Sequence, residues 1–398
     1  MSVFHRLLLE RLLKTADTAR IGAIRFITPD GKARILGRNQ EELFRNIPTL
    51  TLTDWRAVGT WLARGDIGFA ETYRDAQWHT DDLYAVLTFI MMNRDVLEPT
   101  TTARSLPNLL QQLAYWLRRN SVKGSRRNIH DHYDLGNNFY QLWLDDSMTY
   151  SSALYSDAHE EQDLGKAQMA KYDRIIDILN KPQNRLLEVG CGWGGFAAQL
   201  YNRGYDGRYK GLTLSTEQKV YADRRLPQAQ NDNNFFALED YRLQEGQYDS
   251  IVSIEMFEAV GRQYWPVYFS KLRQLLKDNG KAVIQTITVA DDEFKNYARE
   301  SDFIRSYIFP GGMLPSQNKF EEQATRAGFQ VGDVFSFGQD YARTLLTWLK
   351  NFDEKTEQIK AQGFDEAFIR LWRFYLAGCA AGFRSGYTNV RQIELNAA

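Results

Sequence analysis

The chain has 398 residues, 43% of them hydrophobic and 25% charged, and its 49 Lys+Arg and 50 Asp+Glu leave a formal net charge of −1. That length calls for two domains, or one large domain with an appendage, around ordinary globular cores. The near-zero charge excludes a chain built as a whole to bind nucleic acid, and two distant cysteines, Cys191 and Cys379, exclude a disulfide framework or zinc ribbon and fit a reducing cytosol.

Residues 1–20 have helical periodicity, with Phe4, Leu7, Leu8, Leu12 and Leu13 on one side and Arg6, Lys14 and Arg20 among the polar positions. A docking helix and a membrane-surface helix both fit this pattern. Glu10 and Arg11 interrupt the apolar run and no small-residue cleavage site follows, so a secretory signal is not expected. The segment AIRFITPDGKARIL places a Pro-Asp-Gly-Lys turn between two alternating runs and predicts a hairpin. Helical stretches follow over Leu52–Ala63 and Thr80–Met92, the latter too short to span a bilayer. Residues 1–95 thus read as a small α+β domain.

Residues 96–129 read as a linker, opened by Pro99 and three threonines and ending in RRNSVKGSRRN. Arg118, Arg119, Lys123, Arg126 and Arg127 there are either solvated linker charge or a patch for anionic phospholipid head groups, worth about 1 kcal/mol per basic residue near such a surface. His130 and His132 have no third ligand nearby, so no metal centre is expected.

From 160 to 290 strands and helices alternate: helix 162–179, strand RLLEVG, helix Phe196–Asn202, strand YKGLTL, helix Thr216–Arg225, strand NNFFALED, strand YDSIVSI, a helix through Tyr264–Leu276 and strand KAVIQTITV. Repeated βα units with continuous apolar strands predict a parallel, doubly wound, Rossmann-like sheet within a domain over 130–398. The aromatic, helical tail 300–398 is expected to cover one sheet edge.

Ligands of such sheets bind beyond the carboxyl ends of the strands. The first βα turn reads Glu188-x-Gly190-x-Gly192-x-Gly194, spaced differently from the dinucleotide Gly-x-Gly-x-x-Gly. Glu188 in front of it suits the ammonium of a methionine moiety and would repel a pyrophosphate, so S-adenosylmethionine is the expected cofactor. The next strand end offers Thr213, Ser215 and Gln218, and the one after it Glu239, Asp240 and Tyr241, groups compatible with ribose and adenine but also with helix caps and turns. Glu258, framed by Phe257, Ala259 and Val260, is an acid in apolar surroundings and a candidate catalytic group.

These residues carry a resemblance. His132-Tyr-Asp-Leu-Gly-Asn-Asn-Phe139, Met148-Thr-Tyr150-Ser151-Ser152-Ala153, Glu188–Gly195, Gly211–Gln218, Met256–Gly261 and Tyr307-Ile-Phe-Pro-Gly-Gly-Met-Leu-Pro315 resemble, in order and spacing over 130–385, the cyclopropane-fatty-acyl-phospholipid synthase family. Gly65–Tyr73 resembles that family's small lipid-binding domain. The resemblance implies methyl transfer from S-adenosylmethionine to the double bond of an unsaturated acyl chain of a membrane phospholipid. It also implies a protein in the cytoplasm, peripheral at the inner membrane face, and a homodimer. Tyr150 and Ser151 join the cofactor-binding residues by the same route.

An alkene is its own nucleophile, so no Ser, Cys or Lys need be activated. The carbocation formed needs aromatic faces, for which Tyr150, Phe257, Trp265, Tyr307, Phe309 and Tyr341 are available, each contact worth about 2 kcal/mol or more when desolvated. Core packing is the ordinary role of each. In the family the base is a bicarbonate held by a Cys, a Glu, a His, an Ile backbone and a Tyr. Glu258, Ile287 and Tyr341 match, whereas Ser152 stands for the Cys, Gln285 for the His, and Ala259 follows Glu258 in place of a second His. Ser and Gln still hydrogen-bond an anion, but an imidazolium donor is lost and bicarbonate affinity should fall. The expected product is therefore a methyl- or methylene-branched chain, or a methylated diene of the kind that leads to furan fatty acids, with ordinary cyclopropane synthesis or small-molecule methylation as alternatives.

Overall fold

The computed structural model describes residues 3–38, 42–101, 135–156, 163–179, 185–226 and 235–397, with backbone alone for 3–8 and 98–101. The basic stretch 118–127, His130, His132 and His159 lie outside the described residues. No helix among the described residues is long and apolar enough to cross a membrane. The chain divides into two units.

The first unit comprises Met1–Leu113, Ser301–Ile308 and Thr356–Tyr387. Its four strands, β1 (Ile24–Ile27), β2 (Ala33–Leu36), β3 (Thr49–Leu52) and β4 (Trp78–Thr80), lie in the order β2-β1-β3-β4. β1 and β2 form the expected antiparallel hairpin, Ile24 opposite Leu36. The helix expected over Leu52–Ala63 instead runs Arg56–Arg74, because it continues through a kink at Gly65, whose φ of 54° and ψ of −131° suit only glycine. Asp66 restarts it by accepting the Ile67 N–H at 2.8 Å. The helix Glu366–Arg384, capped by Asp365, buries Ile369, Trp372, Leu376 and Ala380 at helical spacing. The small unit thus draws on chain that the sequence reading placed within 130–398.

The second unit comprises Ala114–Glu300, Phe309–Lys355 and Thr388–Ala398. Its strands are β5 (Arg185–Val189), β6 (Arg208–Thr213), β7 (Phe236–Leu238), β8 (Tyr248–Ile254), β9 (Leu276–Val289), β10 (Phe329–Ser336) and β11 (Thr388–Ala397), in the order β10-β11-β9-β8-β5-β6-β7. The run from β7 to β9 is parallel, whereas β11 pairs antiparallel with both β9 and β10. This is the Rossmann-like α/β sheet anticipated, with tail strands extending its edge.

β9 begins at Leu276, five residues before the expected strand, because buried Leu276 pairs with Tyr248 across a register shift. Apolar side chains of the strands and of the helices beside them, among them Ile175, Leu186, Phe196, Phe236, Val252 and Val283, form a core cluster. β6 leaves β5 on one side and β8 adjoins it on the other, so the switch point lies between β5 and β8.

Candidate active site

The loop after β5 holds three glycines with positive φ: Gly190 (88°), Gly192 (52°) and Gly194 (80°). A Cβ on Gly190 would lie 2.8 Å from Met256 Cγ, so the loops following β5 and β8 touch at the switch point. A Cβ on Gly192 would meet no atom within 4 Å, which leaves that backbone open to a ligand. Neighbouring strand ends are tied to the loop: the Gly190 and Cys191 N–H groups both donate to Leu212 O at 2.9 Å, and Glu239 N–H donates to Thr213 O at 3.1 Å.

The polar residues on this rim hold one another. Thr213 Oγ1 donates to Gln218 Oε1 at 2.8 Å, and Ser215 caps the following helix by accepting the Gln218 N–H at 3.3 Å. Asp240 is buried and paired with Arg242 at 2.6 Å, while the Tyr241 ring packs edge-on against Tyr268. Glu188 is buried with its carboxyl bonded to the Tyr209 hydroxyl, and burial pushes its pKa up to about 8. The open backbone at Gly192, flanked by these acceptor and donor groups, fits S-adenosylmethionine.

Beside the loop after β8 the chain makes an arrangement the sequence reading did not single out. Glu255 has a φ of 50°, unusual for a residue with a side chain. Such a conformation costs on the order of 1–2 kcal/mol and persists where the surroundings over-determine it. Its Oε1 accepts the Ser152 backbone N–H at 2.8 Å and Gln285 Nε2–H at 2.7 Å, and its Oε2 accepts the Tyr341 hydroxyl at 2.6 Å. Three residues assigned to bicarbonate by resemblance therefore surround a carboxylate of the chain itself. The Ser152 hydroxyl turns away, donating to Ala153 O at 2.9 Å.

The remaining two, Glu258 and Ile287, also meet. Glu258 Oε1 accepts the Ile287 N–H and the Thr286 hydroxyl, while its Oε2 has no hydrogen-bond partner among the described residues. Burial, and then the neighbouring Glu255 charge, push Glu258 up to about 8. Burial also raises Glu255, but Lys171 and its three donors oppose the rise, so of the two buried carboxyls Glu255 is the one held toward its charged form. Lys171 is fully buried, donates to Ser151 Oγ, and is lowered to about 7 chiefly by burial. With the protein's own carboxylates occupying these donors, bicarbonate does not fit the site.

Of the six aromatics expected around a cation, three are linked. Tyr150 packs against Phe309 (6.5 Å between ring centroids) and Trp348 (5.4 Å), and Trp348 against Tyr341 (6.1 Å). Tyr140 and Trp143 extend this wall, and Tyr140 reaches Trp193 of the glycine loop at 5.2 Å. Phe257 and Trp265 instead stack on each other within a core cluster containing Phe269 and Phe320. Tyr307 belongs to the first unit, its hydroxyl bonded to Glu71.

A family model described as mycolic acid cyclopropane synthetase matches residues 120–393. The chain belongs to this family. It is an S-adenosylmethionine-dependent methyltransferase. It is similar to tuberculostearic acid methyltransferase UfaA1 of Mycobacterium tuberculosis, at 38% identity over 83% of this chain and 79% of that one. It is 34% identical to cyclopropane-fatty-acyl-phospholipid synthase of Escherichia coli (strain K12), over 81% of each chain. Among solved structures, mycolic acid cyclopropane synthase CmaA1 complexed with SAH and CTAB matches with a TM-score of 0.61 at 33% identity, over 68% of this chain and 97% of that one. Family membership accounts for the glycine loop and the sheet. Glu255, an acid beside the contact between the loops after β5 and β8, had one signal in the sequence, its position just beyond a strand end.

Proposed function

We propose that this methyltransferase adds a methyl group to a double-bond carbon of an unsaturated acyl chain in a membrane phospholipid, and that Glu255 takes the proton that leaves. The observation carrying this reading is the Ser152, Gln285 and Tyr341 set of donors closing on the Glu255 carboxylate.

The cofactor, when bound, supplies an electrophilic sulfonium methyl. The π pair of the alkene forms the new C–C bond as the S–C bond breaks, leaving a cation on the adjacent carbon. The faces of Tyr150, Phe309, Tyr341 and Trp348 stabilise that charge, each by about 2 kcal/mol or more where water is excluded. Glu255, ionised and fixed by three donors, accepts a proton from a carbon next to the cation, and the freed C–H pair becomes a new double bond. No oxidant or reductant enters. The product of that step is a methyl-branched unsaturated chain, or a methylated diene when the substrate is a diene; a methylene branch forms when the hydride on the methyl-bearing carbon first shifts to the cation, so that the proton then leaves the added methyl. Glu258, protonated at neutral pH, holds the Ile287 backbone and keeps a second negative charge away from Glu255.

The substrate class supports association with a phospholipid surface, for which sedimentation with anionic vesicles is the direct measurement. The product decides the reading. Lipids from a host expressing the protein and fed methyl-labelled methionine should contain label in a branched chain; a clean cyclopropane product would overturn the branched product, and loss of turnover in Glu255→Gln tests the proton acceptor on either route.

A further inference from the structure

The fully buried amide of Gln285 lies in the middle of the sheet. Sheet register sets it directly opposite Gln392 of β11 on one side, and beside the end of β8 on the other, where the Gln285 backbone carbonyl accepts the Glu255 N–H at 2.8 Å. Two buried amides so placed need fully matched partners, since a buried amide group left without one keeps its full desolvation cost.

The matching runs in one direction only. Arg174, on the helix Leu164–Ile178, donates through Nη1 to Gln392 Oε1 at 3.0 Å. A guanidinium can only donate, so Gln392 must turn its carbonyl to Arg174 and its NH2 inward. Gln392 Nε2 then donates to Gln285 Oε1 at 3.0 Å and to Lys171 O at 3.3 Å. Gln285 in turn has only its NH2 left for Glu255 Oε1, at 2.7 Å. The chain starts at a pure donor and ends at a pure acceptor, so neither amide can flip without setting two donors face to face.

We propose that Arg174 and Gln392 are positioning residues for catalysis: acting through Gln285, they hold Glu255 Oε1 as an acceptor and direct the substrate proton to Oε2. Oε1 already receives two N–H groups of fixed direction. Among the described residues Oε2 accepts the Tyr341 hydroxyl, a group that can serve as donor or acceptor and so can turn to accept once the carboxyl is protonated. The inference rests on Glu255 being the base. The charged and titratable groups that face Glu255 are Lys171 from the helix Leu164–Ile178, Glu258 from the turn after β8, and Tyr341 from the helix Gly338–Glu354.

The test is the pH dependence of turnover in the full-length enzyme, with S-adenosylmethionine binding followed by calorimetry. Gln392→Met fills the same space without donating. Gln392→Glu keeps an acceptor for Arg174 yet cannot donate to Gln285 when ionised. Both should move the acidic limb of the kcat profile up by about one pH unit, the equivalent of one charge-assisted hydrogen bond, and leave cofactor affinity unchanged. Arg174→Met, at the half-buried end of the chain, should move the limb the same way by a smaller step, and carries the test if the Gln392 variants do not fold. Asp333→Asn breaks the outer ion pair to Arg174 (2.5 Å) without touching the donor chain and should leave the limb in place. Limbs for folded Gln392 or Arg174 variants that superimpose on the wild type overturn the proposal. Turnover surviving in Glu255→Gln would instead overturn the base assignment beneath it.

Discussion

The cofactor loop after β5 and the carboxylate pocket after β8 adjoin at the switch point, Gly190 against Met256, yet they are built by opposite means. The loop uses glycines, so its shape is written into consecutive residues and its function is to leave backbone exposed. The pocket forces a glutamate into a conformation natural to glycine, at Glu255, and gathers Ser152, Gln285 and Tyr341 from far along the chain to hold it. One region is prepared to admit a ligand; the other has filled itself with its own side chain. A family member whose loop is ordinary and whose pocket is self-occupied should keep the methyl transfer and change the proton loss that comes after it.

The strongest way to separate the two regions is Glu255→Gln. Turnover should fall by on the order of 10²-fold or more, while calorimetry shows S-adenosylmethionine bound nearly as before. Retention of most of the turnover would return the base role to Glu258, for which Glu258→Gln is then the deciding variant. The converse change is Gly192→Ala. Its new Cβ meets no protein atom, but a φ of 52° strains an alanine, so some stability is lost together with cofactor affinity, the latter by about tenfold, or 1.4 kcal/mol, with the pocket's chemistry intact once cofactor saturates.

A smaller effect is expected from Tyr341→Phe. Burial holds the Glu255 pKa above the ordinary Glu value of 4.5 and the Tyr341 hydroxyl opposes that rise, so removing the hydroxyl raises it further. Activity needs the ionised carboxylate; it is therefore lost as pH falls, and in the variant that loss begins at a higher pH, by about half a unit, with a several-fold drop in kcat. The least change belongs to Thr213→Val, which removes a single bond to Gln218 on the rim. Cofactor affinity should weaken by about threefold, and an unaltered value would make that residue a helix-end support alone.

The hairpin at β1–β2, the alternating strands and helices and the glycine turn were legible because each depends on local periodicity or on a backbone shape that one residue type permits. The pocket was legible only in its parts. Glu258 was named from its apolar setting and Ser152, Gln285, Ile287 and Tyr341 through the family pattern, but sequence spacing could not show that Glu255 stands among three of them. That arises from a register in which Gln285 neighbours the end of β8, and from a positive φ that swings the side chain inward. Arg174, Lys171 and Gln392 were invisible for the same reason: a lysine or glutamine in an amphipathic segment reads as solvated until its neighbours bury it. The aromatic wall was half legible. Tyr150, Phe309 and Tyr341 fell into it, whereas Phe257 and Trp265, equally apolar neighbours of Glu258 in sequence, point to the packed side of the sheet.

Glu255 is thus assigned the place of a free anion and the work that anion would do. Turnover of the wild type and of Glu255→Gly, each in buffer stripped of bicarbonate and again with bicarbonate restored, tests this assignment most directly. Glycine accepts the φ of 50° and leaves the Ser152, Gln285 and Tyr341 donors unfilled beside Lys171. The wild type should be indifferent to bicarbonate, and the variant inactive without it and restored by its addition. A wild-type enzyme that stops when bicarbonate is removed would contradict the claim.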